Sequence, residues 1–223
     1  MKKNILALPK DFNEYFDNLS VENKISIVKY IHENFEYDAV KKEEYLTSSV
    51  FKLAKTRLLW LAILMLSDTL TGSIITKYEG ILQTFITLAA SIPMLMDTGG
   101  NAGSQSSTII IRSLALGEIK EKDYFIVLYK ELCISVLVGF GLAALNFCRM
   151  YFLVKRPLEI ALLVSLTLMV TVVLAKVIGG ILPLIIKRLK LDPAIMVSPL
   201  ITTIVDGLSL IVYFYLAILI LKI

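Results

Sequence analysis

The sequence predicts an all-α membrane protein, with five transmembrane helices per chain behind a short N-terminal helical cytosolic arm. Three observations predict it. Of the 223 residues, 57% are hydrophobic, against roughly 45–50% in a soluble domain, and mean hydropathy is +0.75. From Leu58 to Ile223 the apolar residues come in runs of about 20, the length a helix needs to cross a bilayer. Short polar connectors, TKYEG (76–80) being the shortest, separate the runs. The net charge of +4 is modest, and no basic block is interleaved with aromatics, so no nucleic-acid partner is expected. The opening MKKNILALPKDFNEYF meets charge and Pro9 too early for a signal-peptide core, and no cleaved leader is expected.

Residues 1–50 read as the cytosolic arm and 51–223 as the pore domain. In SVENKISIVKYIHEN (20–34), Val21, Ile25, Val28 and Ile31 fall at helical spacing behind Ser20, an N-cap residue. KKEEYLTSSVFKLAKTR (41–57) reads as an amphipathic helix running into the membrane. Fifty residues bury little core, so this is an arm and not a regulatory domain. The spans fall at about 57–76, 80–112, 124–148, 158–186 and 194–221, with no convincing internal repeat. Lys and Arg concentrate at one set of ends, including Lys52, Lys55, Arg57, Arg112, Lys120, Lys122, Lys187 and Arg188. That bias predicts a cytoplasmic N-terminus and an outside C-terminus in the plasma membrane. Cys133 and Cys148 lie roughly 22 Å apart along one helix, too far for a disulfide, and read as packing residues. His32 reads as a surface residue of the arm.

Two spans carry polar stripes. In PMLMDTGGNAGSQSSTIIIR (93–112), Asp97, Asn101, Ser104 or Gln105, Thr108 and Arg112 recur every three or four residues and share a helical face. The span is longer than a bilayer needs, so it is tilted, broken or extended. Gly99 and Gly103 stand four apart, a spacing that lets helices approach closely, and Pro93 loosens the backbone before them. In LDPAIMVSPLITTIVDGLSLIVYF, Asp192 and Pro193 form a strong helix start. Ser198, Thr202, Asp206, Ser209 and Tyr213 then form one stripe. Asp192 and Asp206 lie on the same face, roughly 21 Å apart along the axis. Pro199 removes a backbone bond and frees a carbonyl toward that track.

Asp68, Asp97 and Asp206 are acids at membrane depth, and each is by default a functional site. Local capping or pairing is the competing reading. It weighs most for Asp68, whose neighbours Ser67, Thr69 and Thr71 carry hydroxyls, and least for Asp206, where the whole stripe agrees. Lys176, alone inside the fourth span, is expected to pair or to extend its amine toward the interface.

PMLMDTGGNAGSQSSTIIIRSLALGEI and DPAIMVSPLITTIVDG, with RLLWL at the first span, closely resemble the transmembrane domain of the MgtE family of magnesium channels and transporters. The likeness covers about residues 41–223. It implies a homodimer with an ion pore between subunits, lined by the second and fifth spans. It implies that Asp206 holds a hydrated Mg²⁺ with help from the Thr202 carbonyl, and that Asp192 binds ions near the cytosolic mouth. With Asp97, Asn101 and Ser198 these are the candidate ion-contacting residues. The family's N-terminal and CBS sensor domains have no counterpart in the arm, so a separate regulatory subunit, or residues 1–50 with Glu43 or Glu44, would have to supply gating.

Mg²⁺ takes oxygen ligands and sheds water reluctantly, which suits a wide track of hydroxyls and carbonyls with few charges and no Cys or His. One Asp206 from each subunit would match one divalent ion. A potential of 100 mV drives such an ion by roughly 4.6 kcal/mol, and no P-loop is present to supply chemical energy. A passive channel for Mg²⁺, with Mn²⁺, Co²⁺ or Ca²⁺ as further cargo, is thus the first expectation. Coupling to Na⁺ or H⁺ on the same fold is the second. The third, remote, is an intramembrane aspartyl protease using Asp97 and Asp206, against which the GxGD signature is missing. Otherwise no enzymatic role is expected.

Overall fold

The computed structural model describes residues 19–34, 48–189 and 191–222. The chain divides into two units, Met1–Ser48 and Ser49–Ile223. Within the first, α1 spans Val21–Asn34. The Ser20 hydroxyl accepts from the Asn23 amide at 3.4 Å, the predicted cap. Of the predicted 41–57 helix, residues 41–47 lie outside the described residues, as do Glu43 and Glu44. The helix present there, α2, begins only at Val50.

The second unit is all helical among its described residues. After α2 (Val50–Lys77) come a short α3 (Glu79–Thr84), α4 (Ile86–Ala115), α5 (Tyr124–Cys148), α6 (Leu158–Arg188) and α7 (Pro193–Leu221). A 3₁₀ turn at Glu121–Asp123 leads into α5, and a π turn at Arg149–Leu153 follows it. The long predicted second span is therefore split. The chain breaks at Phe85, whose φ of −123° and ψ of 77° are not helical. Pro93 sits inside a continuous α4 and does not end it.

Four helices are long and apolar enough to cross a membrane: Val50–Lys77, Tyr124–Leu153, Leu158–Arg188 and Met196–Leu221. The remaining predicted span, α4, has 30 residues, about 45 Å at about 1.5 Å each, yet is not among the four. Its length suffices; its polar residues dilute the hydropathy. Apolarity therefore accounts for four candidate spans, and the predicted fifth is a long helix of a different character.

α6 is the central helix, packed against α4, α5 and α7, while α4 also packs on α7 and α7 on α2. The core is built from Leu88 and Leu95 of α4, Val164 and Val172 of α6, and Val205 and Phe214 of α7. α2 and α5 turn large apolar side chains outward, among them Leu58, Leu59, Leu70, Phe125, Leu137 and Phe140. In lipid, apolar side chains gain little by leaving the solvent, so close packing has to hold the helices together. Glycine provides it. A Cβ on Gly103 would lie 2.5 Å from Ile201 Cγ2 and 3.1 Å from the Ala175 carbonyl oxygen, and one on Gly179 would strike the Gly103 main chain. A Cβ on Gly99 would lie 2.8 Å from both Thr171 Cγ2 and Val205 Cγ1. The predicted Gly99/Gly103 pair thus seats α6 and α7 on α4. Tyr78, at the α2–α3 junction, stacks on Phe214 with ring centroids 4.4 Å apart.

The cysteine reading is corrected. Cys133 and Cys148 are free and exposed on the bundle's outside. Helical spacing from Glu131 and Ser135, which do face inward, turns Cys133 away from α6.

Candidate functional site

The α4 stripe is a real face, and the other described residues leave it largely uncovered. Asp97, Asn101, Gln105, Thr108 and Arg112 are exposed and Ser104 is half-buried. The intervening Gly99, Gly100, Ala102, Gly103, Ser106 and Ser107 are buried. Four-residue steps advance about 40° per turn, so the stripe slowly winds while staying on the open side. The Asn101 amide donates to Asp97 Oδ2 at 3.2 Å, one turn apart. Ser104 Oγ and Ser198 Oγ share a hydrogen bond of 3.2 Å that joins the α4 stripe to that of α7.

The α7 stripe divides into two parts. Ser198 is exposed and Thr202 and Asp206 are half-buried, whereas Ser209 and Tyr213 are buried. The Tyr213 hydroxyl donates to the Leu88 carbonyl at 3.0 Å, so the far end of the predicted track is a core contact between α7 and α4. The Thr202 hydroxyl donates to the Pro199 carbonyl at 2.8 Å. Asp192 caps α7, accepting from the Ala194 amide at 2.9 Å. The cap was legible as Asp-Pro, and it leaves Asp192 Oδ1 engaged.

Asp206 stands out by what its carboxylate lacks. Its Oδ1 is buried with no hydrogen-bond partner, as are Ser209 Oγ and Thr171 Oγ1. Both hydroxyl-bearing residues lie against Gly99: Thr171 through its methyl, Ser209 through its oxygen at 3.8 Å from a built Cβ. A buried polar atom without a partner costs of the order of 1–3 kcal/mol. Thr171 and Ser209 thus leave two unpartnered hydroxyls where α6 and α7 meet α4 at Gly99, and Asp206 adds an unpartnered carboxylate oxygen on α7.

Asp68 adds a second acid. The Thr203 hydroxyl of α7 donates to Asp68 Oδ1 at 3.2 Å, one turn before Asp206. The local-capping reading is set aside: Ser67 and Thr69 donate to the carbonyls of Ile63 and Leu66 on their own helix. Thr203 has no place in the α7 stripe, which is why sequence spacing did not connect it to Asp68. Among the described residues no group of three His, Cys, Asp or Glu side chains converges to hold a metal.

Behind the stripe lies a buried polar relay that crosses three helices. Lys176 of α6 is 4% exposed and Glu131 of α5 is 7% exposed. Lys176 Nζ donates to Gln105 Oε1 at 2.8 Å and to Ser106 Oγ at 3.3 Å, and the Ser106 hydroxyl donates to Glu131 Oε2 at 2.6 Å. Lys176 therefore pairs in place. Glu131 was missed as a functional candidate, lying in an apolar run with no stripe around it. A Cβ on Gly180 would meet Glu131 Cγ at 2.6 Å, so the second glycine of the α6 Gly179–Gly180 pair makes its room.

A family model of MgtE, described as a divalent cation transporter, matches residues 92–216. The chain belongs to the MgtE family. The match runs from α4 into α7 and leaves out α2 with Asp68. The magnesium transporter MgtE of Thermus thermophilus is 36% identical over 170 residues, covering 76% of this chain and 37% of that protein. That of Bacillus subtilis is 30% identical over 216 residues, covering 95% of this chain and 48% of its own length. That of Enterococcus faecalis is 27% identical over 174 residues, 78% and 38% respectively. This MgtE-family chain thus spans less than half the length of the curated relatives it matches.

Proposed function

We propose that the chain is a Mg²⁺ permeation unit of the plasma membrane. In this reading five helices cross the bilayer, α4 included, and two copies place their α4 and α7 stripes around a shared water-filled path. The observation that carries the reading is the buried, unpartnered Asp206 oxygen, with the Asp68 carboxylate held to α7 at Thr203, one turn before Asp206. Two acids near one another at membrane depth are costly unless a cation offsets them. The rest of the path is hydroxyl and amide, which can face a hydrated ion without stripping it: Ser198, Thr202, Asn101 and Ser104. The uncovered α4 face supports the pairing of two copies, because a polar face cannot rest against lipid tails. Mn²⁺, Co²⁺ and Ca²⁺ are further cargo of the same oxygen chemistry.

The reading takes conduction as passive: one negative locus, a hydrophilic face along α4 and the first half of α7, and a membrane potential are enough to drive it. Coupling to Na⁺ or H⁺ on the same fold is the alternative. An Asp97–Asp206 protease dyad loses support, since Asp97 is held by Asn101 and the acid held to α7 next to Asp206 is Asp68, at Thr203.

The test is uptake of Mg²⁺ into liposomes under an imposed potential. Wild-type protein conducts without any Na⁺ or H⁺ gradient, and Asp206→Ala abolishes flux while retaining its size-exclusion profile. Full flux in the folded variant removes Asp206 from the path, and flux that needs a counter-gradient favours the coupled transporter. Arrival of protein as a monomer in lipid with full activity defeats the shared path.

A further inference from the structure

At the end of the bundle where α4 begins and α5 gives way to α6, a cavity of about 320 Å³ opens to the outside. It lies within the roughly 300–1,000 Å³ of small-molecule sites. Its lining includes two arginines, Arg149 and Arg156, with Thr87, Ser91, Met94 and Val154. Among the described residues neither guanidinium makes an ion pair, and Glu159, three residues beyond Arg156, is no exception.

Arg149 is held in place. Its Nη2 donates to Asn146 Oδ1 at 2.8 Å and contacts Met94 Sδ at 3.3 Å. Asn146 in turn donates through Nδ2 to Ser165 Oγ at 3.0 Å, and both are buried. The π turn at Arg149–Leu153 and the left-handed Lys155, φ 56°, fold the chain back so that the Arg156 amide reaches the Met150 carbonyl at 3.0 Å. That reversal brings the second guanidinium to the cavity that the first already lines.

Two cations sharing one cavity repel one another, and a negatively charged guest relieves the repulsion. Arginine forks match phosphate oxygens in pairs. The level of the cavity is marked independently. Phe147, Tyr151 and Phe152 cluster beside it, with Phe147–Tyr151 centroids 5.6 Å and Tyr151–Phe152 centroids 5.0 Å apart. Such aromatic groups sit where hydrocarbon meets headgroups. Leu153, 78% exposed, and Phe152, 63% exposed, add apolar surface on the same turn.

We propose that the Arg149–Arg156 cavity binds the phosphate of an anionic phospholipid headgroup, with the acyl chains running down past Phe152 and Leu153. The proposal stands whether or not Asp206 carries the cargo. The phosphate oxygens take hydrogen bonds from both guanidinium groups, and the apolar turn supports the tails.

The experiment measures lipid retention by native mass spectrometry on the full chain, with phosphatidylglycerol, phosphatidylcholine and inorganic phosphate as separate arms. Wild-type protein is expected to retain phosphatidylglycerol at least about tenfold better than phosphatidylcholine, an affinity difference of about 1.4 kcal/mol. Millimolar inorganic phosphate should not displace it. Arg149→Gln/Arg156→Gln should lose the preference. Because Arg149 also holds Asn146, Arg156→Gln is the second variant. No hydrogen bond ties its side chain to a described residue, so it folds, as its size-exclusion profile and Mg²⁺ uptake check, and its preference should drop at least about threefold. An undiminished preference in folded Arg156→Gln overturns the proposal. So does equal retention of the two lipids, and so does displacement by inorganic phosphate, which makes the cavity a free-ion site.

Discussion

The relay of Lys176, Ser106 and Glu131 offers a sharp test of what holds the bundle together. The two ends carry opposite formal charges, are 4% and 7% exposed, and are bridged by the Ser106 hydroxyl, while Lys176 also donates to Gln105 Oε1. Removing one end leaves the other without its counter-charge. Breaking such a buried pair costs about 3–5 kcal/mol, whereas replacing both ends by apolar groups of similar volume is often neutral. Lys176→Met should therefore lower unfolding stability by about 3 kcal/mol or more, and Glu131→Leu by a similar amount. The double variant should be more stable than either single one, with a coupling of at least about 2 kcal/mol, inside the range seen for residues in one network. Glu131→Gln separates the causes, keeping a Ser106 acceptor while losing the charge. The assay is denaturant titration in mild detergent followed by helical circular dichroism, run as a double-mutant cycle. Additive single effects, or a Lys176→Met protein as stable as wild type, would refute the relay as a coupled unit.

Three other outcomes are expected. Asp68→Asn keeps an acceptor for Thr203 and deletes the charge beside Asp206; it should fold normally and slow Mg²⁺ uptake by about tenfold, equivalent to about 1.4 kcal/mol, as read in the liposome assay. Gly103→Ala drives a methyl to 2.5 Å from Ile201 Cγ2 and should destabilise by about 1–3 kcal/mol; Gly72→Ala, with nothing within 4 Å, should change unfolding by less than about 1 kcal/mol in the same titration. Asp192→Ala removes the α7 cap and should cost about 0.5–2 kcal/mol, seen as faster hydrogen exchange confined to the first turn of α7.

What could be read from the sequence was local. Asp192–Pro193 announces a helix start because both residues act within one turn. Gly99 and Gly103 announce a close contact because no other residue permits it, and the α4 stripe follows from residue spacing alone. Runs of apolar residues gave the four hydrophobic helices directly. What escaped depends on partners distant in sequence. Thr203 and Asp68 are 135 positions apart, Lys176 and Gln105 71, Ser106 and Glu131 25. No periodicity encodes such pairings. The α7 stripe was drawn too long for a related reason. Angle on the helix is fixed by sequence, but burial of Ser209 and Tyr213 is decided by where α4 crosses. Cys133 likewise reads as a core residue by type and faces outward by the position of α6.

At Gly103 and Gly179 the main chain of α4 rests directly on the main chain of α6. No side chain stands between them to change rotamer, slide or compress, so that seam is a fixed pivot. On the proposed reading, opening and closing of a path along α4 would fall to elements that meet through side chains instead. α2 is one so placed: it meets α7 through side chains that include the Thr203–Asp68 hydrogen bond, with Tyr78 just beyond its end stacked on Phe214. A rearrangement that swings α2 while the glycine seam stays shut would carry one acid toward or away from the other, altering the charge along the route without dismantling the bundle.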